Sequence, residues 1–477
     1  MNSKIQWLLS LVIAVCSCAT ASPEKPSDKP ATPYDHHSFE RVRARNLTPT
    51  ASIKENVVLR DATVMTATGE IIENGDVWIR DGKIIAIGAD VEATDAQEVD
   101  ARGKWVTPGL IDTHSHLGVY PVPYVEALSD GNEATAPTRA DVDAIHSVWP
   151  QDPGFFAALQ GGITSMQILP GSANLIGGAA VTLQMHPAVS SRAMLFEEAP
   201  RGLKMACGEN PKNVYGEKGG PSTRMGSMAG FRAAFEEARA AIQAEEKFEL
   251  QMGTWQANEG KEVDKPAEPA RDRGVETLMA VIRGEVLVHV HCYRADEMIQ
   301  ILELADEYGF SIRSFHHAVE AYKIRDILAK WDVGVSTWAD WWGFKIEAFD
   351  AIPENAGLLT EAGARAIIHS DDPVGIQRLN QEAAKALAAA RRSNIVISDD
   401  QALRWITANP AWALGVDSVT GTLQEGKRAD IVLWSAHPFS VYATPELVFV
   451  EGVREFELGK TKPWSDFSQY LLPEETR

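Results

Sequence analysis

The chain is short of cysteine, short of positive charge and short of long apolar runs. Only four cysteines occur in 477 residues. Two of them, Cys16 and Cys18, stand near the start, leaving Cys207 and Cys292 for the rest of the chain. Two thiols cannot make the multi-bridge framework of a small secreted scaffold. They read as free and partly buried; both follow expected strands, so a bridge in an oxidising compartment is the alternative. Lys and Arg number 45 against 66 Asp and Glu, a formal net charge of −21. An acidic surface of that size argues against nucleic acid and anionic lipid as partners. The apolar run at 7–15 is too short to cross a bilayer as a stable helix.

That run follows Lys4 and precedes small residues, the order of a secretory signal. Ala19-Thr20-Ala21 predicts cleavage before Ser22, so residues 1–21 read as a signal peptide and the protein as exported, periplasmic or secreted. Val15-Cys16-Ser17-Cys18 also resembles a lipoprotein box with Cys18 as the lipid-bearing residue, which would place the protein on a membrane surface. Residues 22–50, rich in proline and charge, read as a flexible linker.

What is present is a globular composition and a set of histidines at strand ends. Hydrophobic residues make up 45% and charged residues 23%, enough for a large core. Residues 108–116, PGLIDTHSH, form a short apolar run closing on His114 and His116. Spaced i and i+2 on a strand, the two imidazoles point to one side, which is half of a metal site.

Alternation at 76–80 and 83–87, with Asp81-Gly82 between them, predicts a β-hairpin in a small β unit over 57–106. Short strands with glycine turns recur over 421–458. Between them, apolar runs at 110–114, 163–169, 179–183, 203–206, 286–291, 311–317, 333–337 and 364–370 read as eight strands. Helical patterns separate several of them: Phe231, Phe235, Ala238 and Ile242 on one face, then 298–308 and 318–330, then a helix with the capping box Ser398–Gln401. The fold class is α/β. It comprises a (β/α)8 TIM-like barrel at 109–417, a small β-sandwich from 51–108 plus 418–463, and a tail at 464–477.

Chemistry in such a barrel sits at the C-terminal ends of the strands. His114 and His116 end the first strand, His291 the fifth and His317 the sixth, and Asp371 follows the eighth. Four imidazoles and a carboxylate can hold one or two divalent transition metals. His289 reads as a core histidine, His369 as core or supporting the site, and His316 as pointing away from it. The remaining histidines are assigned nothing.

These pieces resemble the amidohydrolase superfamily, in the imidazolonepropionase-like branch of secreted metal-dependent hydrolases. PGLIDTHSH and GTLQEGKRADIVLW are typical of the superfamily. ILPGSANLIGG, GLKMACGENPKNVYG, VHVHCYRADEM, HHAVEAYKI and IIHSDDPVG belong more closely to the branch. The resemblance implies metal ligands His114, His116, His291, His317 and Asp371, with Lys204 as a carboxylated bridge between two metals, zinc by default. A pocket cation is the plainer reading of Lys204. Asp371 is the implied proton carrier. Tyr293 is placed for the substrate carbonyl or as a rim aromatic, and Arg294 for a substrate carboxylate or for solvent. Trp338, Trp341 and Trp342 read as packing or as a substrate wall. The glycine-rich loop at 171–178 suggests a phosphate cradle by composition only.

The function read from this is cleavage of an amide, dipeptide or cyclic amide C–N bond by a metal-activated water. The expected partner is a small-molecule substrate, with no nucleic acid, no membrane unless Cys18 carries lipid, and room for a homo-oligomer. The rivals are a mononuclear cyclic-amide hydrolase that leaves Lys204 unused, a deaminase and a metal-binding module without catalysis. Arg294, where deaminases usually carry a glutamate, counts against the second.

Overall fold

The structure, a computed structural model, describes residues 53–258 and 264–460. The expected signal peptide, linker and tail lie outside the described residues. Among those described, no helix is long and apolar enough to cross a membrane.

The chain begins its described part with β1 (Val57–Met65), β2 (Ile71–Arg80), β3 (Lys83–Gly88), β4 (Gln97–Asp100) and β5 (Trp105–Pro108). Asp81 and Gly82 join β2 to β3 with φ of 51° and 81°, the doubly left-handed turn that matches strand twist. The barrel strands follow: β6 (Leu110–Ser115), β7 (Ile163–Ile168), β8 (Ile176–Gln184), β9 (Gly202–Ala206), β10 (Leu287–Cys292), β11 (Ile312–His317), β12 (Gly334–Thr337) and β13 (Arg365–Ile368). The chain returns through β14 (Ile431–Trp434), β15 (Pro445–Val450) and β16 (Val453–Glu457).

Both ends of the chain enter one sheet, ordered β16-β15-β14-β5-β1-β2-β3, with β4 on β1. The small β unit, expected as a sandwich, is thus continuous in its hydrogen bonding. Val57, Leu59, Val77, Ile79, Val106 and Ile431 share one apolar cluster, the alternate residues of strands drawn from both ends. The Trp434 indole N–H donates to Thr107 Oγ1 at 2.9 Å, tying β14 to β5 where both are buried. From β5 the chain passes directly into β6 at Gly109, where a Cβ would run into the Thr164 side chain.

The second sheet is ordered β13 to β6 without interruption. Its ends approach each other: Asp371 N–H donates to the His114 carbonyl at 3.0 Å, and residues 405–406 bridge lower down, through Ile368 N–H to Trp405 O and Ile111 N–H to Ile406 O. One strand departs from the all-parallel expectation. β8 runs antiparallel to β7 and to β9. Only residues 169–175 separate β7 from β8, with no helix among them, and a parallel crossover needs a dozen residues or more. The chain must fold straight back, so the start of β8 and its glycine-rich lead-in lie at the end of the barrel where its parallel neighbours finish.

Helices cover the outside. Arg224–Ala257 buries Phe231, Phe235 and Ala238 as expected, each phenyl stabilising by about 1.5–3 kcal/mol. The helix expected over 318–330 is shorter: a 3-10 turn at Ala321–Ile324 and a helix at Arg325–Lys330. His317 and Ala318 have φ of 68° and 38°, which delays helical geometry.

Candidate active site

The site grows from the ends of β6, β9, β10, β11 and β13. Asp112 sets the first of these. Fully buried, it accepts the backbone N–H groups of His114 (3.0 Å) and Ser370 (3.2 Å) and the Ser370 hydroxyl, so it locks β6 to the end of β13. Burial raises its carboxyl pKa to about 7.

Three nitrogen and oxygen atoms, one from each of three residues, then meet. His114 Nε2 lies 3.3 Å from His116 Nε2 and 3.4 Å from Asp371 Oδ1, and His116 Nε2 lies 3.2 Å from the same oxygen. Donors arranged tetrahedrally at zinc bond lengths stand about 3.3 Å apart. His317 Nδ1 sits 3.8 Å from Asp371 Oδ2. His114, His317 and His369 make a second group of close nitrogen donors. Asp371 (φ 53°) and His317 are both left-handed, and such non-glycine positions cost about 1–3 kcal/mol each. They are where two side chains must turn inward after their strands have ended.

His114, His116 and His291 are each tied at one ring nitrogen. His116 Nδ1 faces the Leu169 carbonyl at 2.9 Å, and His291 Nδ1 faces Ser172 Oγ at 2.8 Å. His114 Nδ1 meets His316 Nδ1 at 2.9 Å, His316 Nε2 meets His289 Nδ1 at 2.9 Å, and His289 Nε2 meets the Gln167 amide at 3.3 Å. A lone pair on His114 Nε2 requires the hydrogen on Nδ1. The run of bonds then points from His114 through His316 to His289, whose Nε2–H faces the Gln167 amide nitrogen; the run closes when that amide is turned to present its oxygen, which is otherwise unpaired. Burial, with the Lys204 charge next, holds His114 and His291 well below the ordinary imidazole pKa. Burial likewise lowers His369 to about 4 and His289 to about 3. These rings are neutral at pH 7, the form that binds metal.

The donor set fits a divalent transition metal. Among the described residues, His291 Nε2, His317 Nδ1 and His369 Nδ1 are buried with no hydrogen-bond partner. Unpaired buried nitrogens are costly, and a cation bound among these rings would satisfy them.

The remaining expected residues fall as follows. Lys204, 1% exposed, donates to the Pro170 carbonyl at 2.8 Å, and burial lowers its pKa to about 7. Tyr293 is buried and stacks on His317, with ring centroids 5.1 Å apart. Burial raises its phenol pKa, so the hydroxyl keeps its proton. Arg294 is drawn away: its guanidinium grips Asp296 through Nε at 2.9 Å, a surface pair in the first turn of Ala295–Tyr308. His316, expected to point away, faces inward, because His317 rather than His316 leaves strand geometry. His289 is a hydrogen-bonded core histidine.

Two corrections concern other features. Cys207 and Cys292 form a disulfide, with Cα atoms 5.2 Å apart, instead of two free, partly buried thiols. Both are buried at neighbouring strand ends, where Cys207 N–H bonds the His291 carbonyl. The loop at 171–178 serves as a scaffold for the histidines: its Ser172 and the preceding carbonyls of Leu169 and Pro170 hold His291, His116 and Lys204. Its serine was legible in the sequence, but its partner was not.

The pattern of the amidohydrolase family matches residues 344–454. An amidohydrolase of known structure from Thermotoga maritima MSB8 is similar over its whole length: TM-score 0.74, 34% identity, 84% of this chain and 100% of that one. The chain belongs to the amidohydrolase family. Amidohydrolase tasK of Hapsidospora irregularis is 33% identical over 401 residues, which are 80% of this chain and 40% of that protein; the chain thus spans well under half of that relative. The imidazolonepropionase of Geobacillus thermodenitrificans (strain NG80-2) is 25% identical over 426 residues, 82% of this chain and 89% of that enzyme. This amidohydrolase falls in the imidazolonepropionase-like branch, and its family places it among hydrolases acting on carbon–nitrogen bonds.

Proposed function

We propose that this chain is an exported, metal-dependent amidohydrolase that cleaves an amide, dipeptide or cyclic amide. The observation that carries the proposal is the cluster of His114, His116 and Asp371, with donor atoms 3.2–3.4 Å apart and both imidazoles tied at their other ring nitrogen. When bound, a divalent transition metal such as zinc supplies Lewis acidity, which activates water and polarises a carbonyl at neutral pH. His114, His116 and Asp371 would hold one ion and His291 with His317 a second, with Lys204 serving both as a carbamate.

Asp371 carries the proton. Its side chain, 23% exposed, is the open edge of the cluster. It takes the proton from the attacking water and returns it to the leaving nitrogen, so the new N–H forms as the C–N bond breaks. Tyr293, with its phenol protonated, donates to the carbonyl oxygen as negative charge develops there. Lys204 is buried, which favours the free amine. That amine can add carbon dioxide, forming an N–C bond and losing a proton, to become an anionic ligand.

A second reading, a mononuclear enzyme opening a cyclic amide, is favoured by the imidazolonepropionase relative and by the contact of Lys204 with the Pro170 carbonyl. In that reading Lys204 stays an amine. Export rests on residues 1–21, and the Cys207–Cys292 disulfide supports an oxidising compartment.

Turnover on N-acyl amino acids, dipeptides and cyclic amides, measured before and after chelation and after return of zinc, tests the proposal. Hydrolysis lost on chelation and regained with zinc is expected. Hydrolysis indifferent to chelation, or none across the panel, contradicts it.

A further inference from the structure

The loop after β12 carries more exposed aromatic surface than a solvent-facing loop needs. Within residues 338–349, Trp342 is 62%, Phe344 57% and Phe349 62% exposed, with Trp341 at 38%. Apolar surface gathered in one place marks a binding surface. This one is continuous with the active site. Trp338 stacks on the candidate ligand His317 at 4.4 Å between centroids, and Trp341 stacks on Trp338 at 5.3 Å. Phe344 turns its edge to Trp338 at 5.9 Å and to Tyr293 at 6.3 Å. Trp338 is fixed by its indole N–H on the Ser370 carbonyl, one residue before Asp371. A cleft lined by Trp338, Trp341, Trp342 and Pro353 opens beside the stack.

The charge pattern narrows what this surface accepts. Every charged side chain from 338 to 350 is already paired: Asp340 with Lys385, Lys345 with Glu347 and Asp350 with Lys323. Lys345 also lies over the Tyr293 ring, 4.0 Å from its centroid. No free charge is left to recognise an ion, while ring surface on Trp341 and Phe344 is exposed. Rings attract rings through offset and edge contacts beyond simple burial of area.

We propose that Trp341 and Phe344, backed by the buried Trp338 and Tyr293, form a substrate subsite for a neutral planar group, an aromatic ring, carried next to the carbon–nitrogen bond to be cleaved. The assignment rests on the proposed hydrolase function for its location and adds the substrate class.

The test has two arms on the full-length protein. Binding of N-benzylacetamide is compared with N-methylacetamide by ligand-observed NMR titration, in wild type, Trp341→Ala and Phe344→Ala. Hydrolysis of N-acetylphenylalanine is compared with N-acetylalanine in the same proteins. Wild type is expected to prefer the aromatic member by about tenfold in both arms, and each substitution to remove most of that preference. Thermal melting checks that the variants fold. Equal binding of the two acetamides by wild type, or a preference surviving both substitutions, overturns the subsite. Aromatic preference in binding with no hydrolysis of any amide supports the subsite and counts against the hydrolase reading instead.

Discussion

Breaking the Cys207–Cys292 bridge by the paired substitution Cys207→Ala and Cys292→Ala probes a feature that joins stability to the site. The bridge closes a loop of 85 residues. The chain-entropy relation gives about 4–5 kcal/mol for a loop of that length. Unfolding a chain of this size releases roughly 0.9 kcal/mol per kelvin, so the midpoint should fall by about 5 °C. The effect should extend to the site, because Cys292 follows His291 directly and Cys207 lies just beyond Lys204 on the adjacent strand. The assay is thermal unfolding by tryptophan fluorescence, together with peptide mapping of the unreduced wild type. A linked Cys207–Cys292 peptide and a lowered midpoint are expected. Alkylation of both thiols in unreduced wild type, or a double variant melting with wild type, would refute the reasoning.

Other outcomes follow from the site itself. Asp371→Asn should keep the fold and lose turnover by about 10²-fold or more, since an amide cannot carry the proton. Asp372→Asn should stay active, because Asp372 only accepts backbone N–H groups from Val374 and Gly375, a task an amide oxygen also performs. Ser172→Ala and His316→Phe remove the partners behind His291 and His114, so zinc affinity by competition with a chelator should weaken about 10- to 100-fold, and unchanged affinity would contradict their role. Lys204→Ala should lower the metal count from two per chain toward one, and a wild type that binds only one ion favours the mononuclear reading.

Much of this was legible in the residues. The apolar runs mark the eight barrel strands, and the spacing of His114 and His116 marks one face of β6. The direction of β8 was not, because direction resides in the connection and only residues 169–175 make it. His316 and His317 both reach the interior because a left-handed His317 breaks the alternation, and a positive φ at a histidine leaves no sequence pattern. The disulfide needed the register of β9 on β10, which brings residues far apart in sequence to neighbouring strand ends. Arg294 met a local carboxylate, Asp296, before any substrate could.

The central claim is that imidazoles at the ends of β6, β10 and β11, with Asp371, bind a catalytic metal. Elemental analysis of the purified wild type beside the His114→Ala, His116→Ala double variant tests it directly, with circular dichroism to check the fold. The account predicts stoichiometric transition metal in wild type, and a folded variant that has lost most of it along with nearly all activity. Full metal content in the folded double variant would contradict it.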